Sequence, residues 1–230
     1  MVDKIFILCG GFGTRLRSVI DNVPKPMAPI LDKPFLYYQI NEIRRSFPDT
    51  MIYLLTYYLS EVIEEYFEND SSICIIKEEQ PLGTGGSVKY AIDFLNISYN
   101  NSVLVFNGDT YIKPNLKDMI KHSEREITIL GSFQKNCSRY GTLKIDDDLI
   151  IDFNEKNENS KNSYINGGCY LFRNLNFFNS VDKIFSIEDE FKKKIDNNQK
   201  IYIYKYDDVF IDIGIPEDYN KMKKYVGDNR

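Results

Sequence analysis

Leu8-Cys9-Gly10-Gly11-Phe12-Gly13-Thr14-Arg15-Leu16-Arg17 follows directly on the apolar run Lys4-Ile5-Phe6-Ile7-Leu8, and this transition decides how the chain is read. A short apolar run that stops at Gly10-Gly11 reads as a buried strand. The glycines at 10, 11 and 13 let backbone N–H groups face a phosphate without interference from Cβ atoms. Ligands of open α/β sheets sit beyond the carboxyl ends of strands, which is where this loop lies. It is not a dinucleotide fingerprint, because Leu16 stands where G-x-G-x-x-G requires glycine, and no G-x-x-x-x-G-K-[ST] occurs. A plain glycine turn with a solvated Arg15 satisfies the same residues. Further on, Pro24-Lys25-Pro26 holds a cation between two prolines. These stiffen the backbone around it, as suits a group that must meet a phosphate, although a surface proline turn reads equally well.

Working outward, the first half alternates apolar runs with amphipathic stretches. Strands are expected at Lys4–Cys9, Met51–Thr56, Ser72–Lys77 and Ser102–Phe106, the last ending at Asn107-Gly108-Asp109. Helices are expected over Pro34–Arg45, Ser60–Phe67 with Ser60 as N-cap, and Gly83–Leu95. Strand and helix in alternation at this spacing predict a parallel sheet. Beyond Asp109 strands dominate: Ile127–Phe133, Gly141–Ile145, Leu149–Phe153 and Tyr164–Phe172, with Asp146-Asp147-Asp148 as a hairpin turn and Asn154–Asn162 as a polar connection, mobile at its tip. A helix over Ile187–Asn197, strands at Lys200–Tyr206 and Val209–Ile213, and a helix begun by Pro216 and running to about Tyr225 complete the pattern. With no repeat and no long linker, one mixed α/β domain over 1–230 is expected, its pattern changing to a β-rich portion at about 110.

Composition narrows the chemistry. A chain of 230 residues with 43% hydrophobic content can bury a core and is too apolar to be disordered. A formal charge of -5 argues against a broad nucleic-acid surface, and no apolar stretch is long enough to span a membrane. The apolar run after Met1 is too short for a signal peptide, so the chain reads as cytoplasmic. Cys9, Cys74, Cys137 and Cys169 lack metal spacing and read as buried thiols. His122 is the only histidine, which removes histidine dyads, serine triads and His-rich metal sites, and leaves carboxylates, lysines, arginines and backbone to do any chemistry. Tyr37-Tyr38 and Tyr57-Tyr58 read as helix packing.

The run CGGFGTRLR followed by PKPM resembles the opening signature of the sugar-1-phosphate nucleotidyltransferases, with Ser18 replacing a proline common after the Arg-Leu pair. The resemblance continues through Glu79-Gln80-Pro81-Leu82-Gly83-Thr84-Gly85-Gly86, Phe106-Asn107-Gly108-Asp109, Phe153-Asn154-Glu155-Lys156, Ile165-Asn166-Gly167-Gly168-Cys169-Tyr170 and Phe210-Ile211-Asp212-Ile213-Gly214-Ile215-Pro216-Glu217-Asp218-Tyr219. It implies a Rossmann-like α/β fold: a mixed, mainly parallel sheet flanked by helices, with a β-rich sugar-binding portion (the nucleotide-diphospho-sugar transferase fold), divided at about 110 into a nucleotide half and a sugar-phosphate half. It also implies a reaction in which a nucleoside triphosphate and a sugar 1-phosphate give a sugar nucleotide and pyrophosphate. Two polyanions must meet in that reaction, and each unit-charge pair at about 5 Å in an effective dielectric of about 20 costs about 3 kcal/mol. Charge neutralisation and in-line positioning, rather than a general base, are therefore the task.

On the same resemblance, Arg15 lies near the leaving pyrophosphate and Lys25 near the α-phosphate. Leu8, Gly10, Gly11, Gly13, Thr14, Asn107 and Gly108 surround the nucleotide, and Gln80 and Gly85 read its base. Asp109 and Asp212 hold Mg²⁺, a hard ion suited to carboxylates, phosphate oxygens and water. Gly141, Glu155, Lys156, Asn166 and Gly167 receive the sugar phosphate. Without the resemblance, Asn107-Gly108-Asp109 is a turn, Asp212 a helix-capping acid and Glu155-Lys156 a solvated loop. PLGTGG with INGGCYLF is most similar to the short heptose 1-phosphate guanylyltransferase branch, which pairs GTP with D-glycero-α-D-manno-heptose 1-phosphate to make a precursor of surface glycans. Mannose, glucose or N-acetylmuramate 1-phosphate with GTP, dTTP, CTP or UTP are the alternatives. A homodimer is the assembly this reading leaves open. A glycosyltransferase would show D-x-D where Asp109-Thr110-Tyr111 stands, and a sensing subunit without activity would not need Arg15, Lys25 and Asp109 together.

Overall fold

The computed structural model describes residues 2–16, 19–20, 22–121, 125–179 and 181–229. Ser18 and His122 lie outside the described residues. The chain runs β1 (Lys4–Leu8), β2 (Pro29–Ile30), β3 (Lys33–Pro34), α1 (Phe35–Ser46), β4 (Ile52–Thr56), α2 (Ser60–Phe67), β5 (Ile73–Lys77) and α3 (Gly83–Phe94). It continues with β6 (Val103–Asn107), β7 (Thr110–Ile112), α4 (Leu116–Lys121), β8 (Ile127–Asn136), β9 (Thr142–Asp146), β10 (Leu149–Asn154) and β11 (Lys161–Phe172). Last come α5 (Ile187–Asp196), β12 (Ile201–Tyr206), β13 (Phe210–Asp212) and α6 (Pro216–Asp228). Among the described residues no helix is long and apolar enough to cross a membrane.

The chain folds as two compact units that interleave in sequence: 4–81 with 106–113 and 209–230, and 1–3 with 82–105 and 114–208. The halves expected from sequence are instead divided once, near 110. In the first unit β1 pairs in parallel with β4, and β4 with β5, all three built from the apolar runs the sequence marks as strands. Burial decides this: Ile52 to Thr56 are buried without interruption, as a strand covered on both faces requires. A second core lies under α6, where Leu16, Ile30, Phe35, Ile211, Ile213, Tyr219 and Met222 are buried together. β13 pairs antiparallel with β7, matching Asp212 to Thr110 and Phe210 to Ile112. Neither β7 nor α4 is anticipated by the sequence pattern, because three- and six-residue elements carry too little periodicity.

In the second unit β11 pairs antiparallel with β8, β8 in parallel with β12, β12 antiparallel with β10, and β10 antiparallel with β9. A further pairing of Ile165 with Thr142 joins β11 back to β9 and closes the strands into a ring. The parallel character expected of the sheet thus belongs to β5-β4-β1, while this unit is largely antiparallel. The β9–β10 turn is the expected Asp hairpin, with Asp147 at φ 51°.

Several local expectations are corrected. Ser60 is not the N-cap of α2: Leu59 is, at φ 50° and ψ 42°, and the Ser60 hydroxyl instead donates to Glu64 at 2.5 Å. Tyr57 and Tyr58 do not lie in a helix; they follow β4, and their rings flank Phe12 at centroid distances of 5.9 and 5.5 Å. Cys74 is half-buried, unlike Cys9, Cys137 and Cys169. Burial pushes the Cys9 and Cys169 thiols far above the ordinary thiol range, so neither is a nucleophile at neutral pH. The polar connection shrinks to 155–160, because cross-strand pairing takes Asn154 into β10 and Lys161 into β11. Finally, α6 runs to Asp228, beyond the expected Tyr225.

Candidate active site

β1 delivers the chain to the glycine loop, and the loop is anchored at both ends. The Cys9 N–H donates to the Leu55 carbonyl at 2.7 Å, and the Gly108 N–H donates to the carbonyl of half-buried Leu8 at 3.0 Å. A short turn, Thr14–Leu16, ends the loop by burying Leu16 in the core under α6, while Thr14 and Arg15 stay exposed. Gly13 sits at φ +58°, and a Cβ there would lie 2.9 Å from the Lys25 Cβ, so both backbone conformation and close approach require glycine. Gly10 is half-buried beside Tyr57; Gly11 is exposed, and among the described residues nothing beyond its chain neighbours comes within 4 Å of its missing Cβ. A cavity of about 120 Å³ opens alongside, lined by Phe12, Gly13, Lys25 and Tyr58 among others.

Lys25 is the centre of the charge arrangement. Pro24 and Pro26 are buried and fix the short turn Lys25–Met27, so the lysine stem leaves a rigid base. Its Nζ lies 2.5 Å from Asp109 Oδ2 and 3.4 Å from Asp212 Oδ1, with only 10% of its side chain exposed. Pairing of β13 with β7 brings the two carboxylates together, and the Ile213 N–H donates to the Asp109 carbonyl at 3.0 Å. The Thr110 hydroxyl donates to Asp109 Oδ1 at 3.1 Å, and the Gly214 N–H to Asp212 Oδ1 at 2.9 Å. Ile215, not Asp212, caps α6.

Burial pushes the Asp109 carboxyl up, but the Lys25 charge and hydrogen bond outweigh it and hold it below the usual range. Asp212 goes the other way: burial, with the nearby Asp109 charge, raises it against the pull of Lys25. Two carboxylates thus face a single ammonium, and a further cation beside them would favour the ionised form of Asp212. Among the described residues no group of three or more His, Cys, Asp or Glu gathers. Two hard carboxylates that already draw a cation fit Mg²⁺, provided the remaining ligands are phosphate oxygens and water.

Gln39 is the functional candidate that sequence reading missed. It sits at 3% exposure on the buried face of α1, and its Nε2 donates to the Asn107 carbonyl at 2.8 Å and to the Thr110 carbonyl at 2.9 Å. The two bonds straddle Gly108-Asp109 and hold the turn that carries the carboxylate. A polar residue interrupting the apolar series Phe35, Leu36, Ile40, Ile43 is the signal that was there to find. Gln39→Leu strands two buried carbonyls and is expected to destabilise the protein by about 1–3 kcal/mol in urea unfolding. Asn107 Oδ1 is buried with no hydrogen-bond partner among the described residues, and Gly108 is buried where a Cβ would overlap the Leu8 carbonyl.

The base- and sugar-facing candidates are placed less uniformly. Gln80 is exposed. Gly85, expected to read the base, donates its N–H to the Phe185 carbonyl at 3.0 Å, and a Cβ there would overlap the Phe185 ring. Close packing against that ring requires glycine at this position. Glu155 and Lys156 are exposed just past β10, and Gly141 lies against the Asn154 carbonyl, 2.8 Å from its missing Cβ. Gly167 is buried against Leu130 in β11, next to half-buried Asn166.

This arrangement, a backbone loop and a cation beside paired carboxylates, is that of an enzyme working on phosphate esters. Residues 4–229 match the nucleotidyl transferase family, and the chain belongs to it. It is 41% identical over 222 residues to the D-glycero-alpha-D-manno-heptose 1-phosphate guanylyltransferase of Campylobacter jejuni, covering 94% of this chain and 96% of that protein. It is 40% identical over 228 residues to the protein of the same name from Aneurinibacillus thermoaerophilus, covering 96% and 97%. Among solved structures, HddC from Yersinia pseudotuberculosis complexed with GMP-PN superposes with a TM-score of 0.85 at 33% identity, covering 98% of this chain and 100% of that one. The fold is thus the mixed α/β nucleotide-diphospho-sugar transferase fold.

Proposed function

We propose that this nucleotidyltransferase transfers GMP from GTP to D-glycero-α-D-manno-heptose 1-phosphate, releasing pyrophosphate. The observation that carries the reaction class is Lys25, held beside Gly13 and between Asp109 and Asp212. Likeness over nearly the full chain to two heptose 1-phosphate guanylyltransferases supports the substrate pair.

A phosphate oxygen of the sugar 1-phosphate attacks the α-phosphorus, forming the new P–O bond as the bond to the β-phosphate oxygen breaks. That oxygen is already anionic near neutral pH, so no residue need remove a proton. The N–H groups of Gly10, Gly11, Gly13 and Thr14 receive triphosphate oxygens, and the open space over Gly11 leaves room for them. Lys25 neutralises charge at the α-phosphate, where its desolvated ammonium is worth more than it would be in water. Arg15 meets the β- and γ-phosphates and follows the charge onto pyrophosphate as it leaves. Mg²⁺, held by Asp109 and Asp212, would supply further charge neutralisation and bring phosphate oxygens into line. Glu155, Lys156 and Asn166 hold the sugar phosphate, with Gly141 and Gly167 at its edge, and Gln80 reads the base.

The test is pyrophosphate release from GTP, dTTP, dATP, CTP and UTP, each paired with heptose, mannose, glucose and N-acetylmuramate 1-phosphates. The expected result is the highest kcat/KM for GTP with the heptose 1-phosphate. A higher value for another pair reassigns the substrates, and no product from any pair removes the reading.

A further inference from the structure

Glu188, at the start of α5, accepts hydrogen bonds from three hydroxyls. Tyr170 donates to its Oε1 at 3.2 Å, while Thr84 and Ser186 both donate to its Oε2 at 3.0 Å. The Thr84 oxygen in turn accepts the Ile187 N–H at 2.9 Å. This ties the first turn of α3 to the first turn of α5 on either side of the carboxylate. Two carboxylate oxygens engaged by three donors from separate elements leave the group little freedom to move.

The network leads into the sugar-facing strand. Asn166 Nδ2 donates to the Tyr170 hydroxyl at 2.9 Å, and Asn166 Oδ1 accepts the Gly168 N–H at 3.0 Å. The register of β11 against β8 shifts between Asn166 and Tyr170, and Gly168 there takes φ +68°. A bulge of this kind re-aims a side chain. The Asn166 amide carries two N–H protons. Tyr170 takes one, and the second is the proton available to a sugar hydroxyl.

We infer that Glu188 is a positioning residue for sugar-phosphate binding, acting through the Tyr170 hydroxyl to fix the rotamer and amide orientation of Asn166. Glu188 obliges the Tyr170 proton to point at it, which turns the phenolic lone pairs toward Asn166 and dictates which end of that amide faces Tyr170. The inference rests on the proposed reading of Asn166 as a sugar contact.

The test is steady-state kinetics with GTP and heptose 1-phosphate on Tyr170→Phe, Glu188→Gln and Asn166→Ala, with thermal unfolding as the fold control. Tyr170→Phe removes one hydroxyl and keeps the ring in its core, so it remains informative if Glu188→Gln does not fold. Tyr170→Phe is expected to raise KM for the sugar phosphate about tenfold, the effect of one lost orienting hydrogen bond, with KM for GTP unchanged. Asn166→Ala is expected to raise it at least as far, and adding Tyr170→Phe to Asn166→Ala is expected to change it no further. A rise under Asn166→Ala without one under Tyr170→Phe overturns the positioning role while sparing the reading of Asn166. An unchanged KM under Asn166→Ala overturns both. Equal rises for both substrates, tracking a fall in Tm, show a purely structural network and also overturn the inference.

Discussion

Arg15→Ala is expected to lower kcat about 10³-fold, the lower range for loss of an arginine that stabilises a phosphoryl-transfer transition state. Arg15 lies exposed on the Thr14–Leu16 turn, and among the described residues it makes no ion pair. The turn is held instead by its neighbour Leu16, buried at 2% exposure. Removing the guanidinium therefore takes nothing from the core, and Tm is expected to move little. Charge builds on the leaving pyrophosphate only as the bond breaks, so the loss belongs mainly in kcat rather than in KM for GTP. Arg15→Lys is expected to recover only part of the rate, since it restores the charge but not the two-pronged geometry. Steady-state kinetics of both variants check this, and near-normal turnover by Arg15→Ala removes the phosphate role.

Asp109→Asn is expected to be at least as damaging, by a different route. The substitution keeps the shape of the β6–β7 turn, since Gln39 holds the backbone on either side, but it removes a charge 2.5 Å from the Lys25 ammonium. On the proposed reading one hard anionic ligand goes, and several kcal/mol of transition-state stabilisation with it, or about 10³-fold in rate. The Mg²⁺ concentration for half-maximal rate is expected to rise at least about tenfold. Asp212 compensates only partly: it lies 3.4 Å from Lys25, and its carboxyl is raised partly because Asp109 is charged, so it becomes a somewhat better anion in the variant. Initial rates across a Mg²⁺ series, with Tm as the fold control, make the comparison. An unchanged Mg²⁺ curve would place the ion elsewhere.

The elements differed in how far they could be read from sequence. β1, β4, β5, α1 and α3 are visible because each is long enough to show a clear run or a helical period and ends in a strong stop. β7, α4 and the start of β11 are hidden because tertiary pairing, not local preference, makes them. The same split runs through the candidate site. The glycine loop and Lys25 lie close together in sequence and carry their own marks, glycines and flanking prolines. Gln39 and Glu188 do not: an amide in an apolar helical face and an acid in a first helical turn look ordinary until their partners arrive from distant segments. Gly85 stands in a recognisable stretch, but its packing against the Phe185 ring is visible only in the structure.

The sequence alone determined the alternation of strands and helices and a glycine-rich loop followed by a lysine between two prolines, because these depend on neighbouring residues. Only the tertiary structure decided that Asp109 and Asp212 share one ammonium, that the β6–β7 turn is clamped from α1, and that Asn166 is oriented from α5 through Tyr170. The reason is physical: local conformation follows from adjacent side chains and backbone sterics. Which charges and hydrogen-bonding groups meet depends on strand pairing between segments that no short stretch of sequence contains.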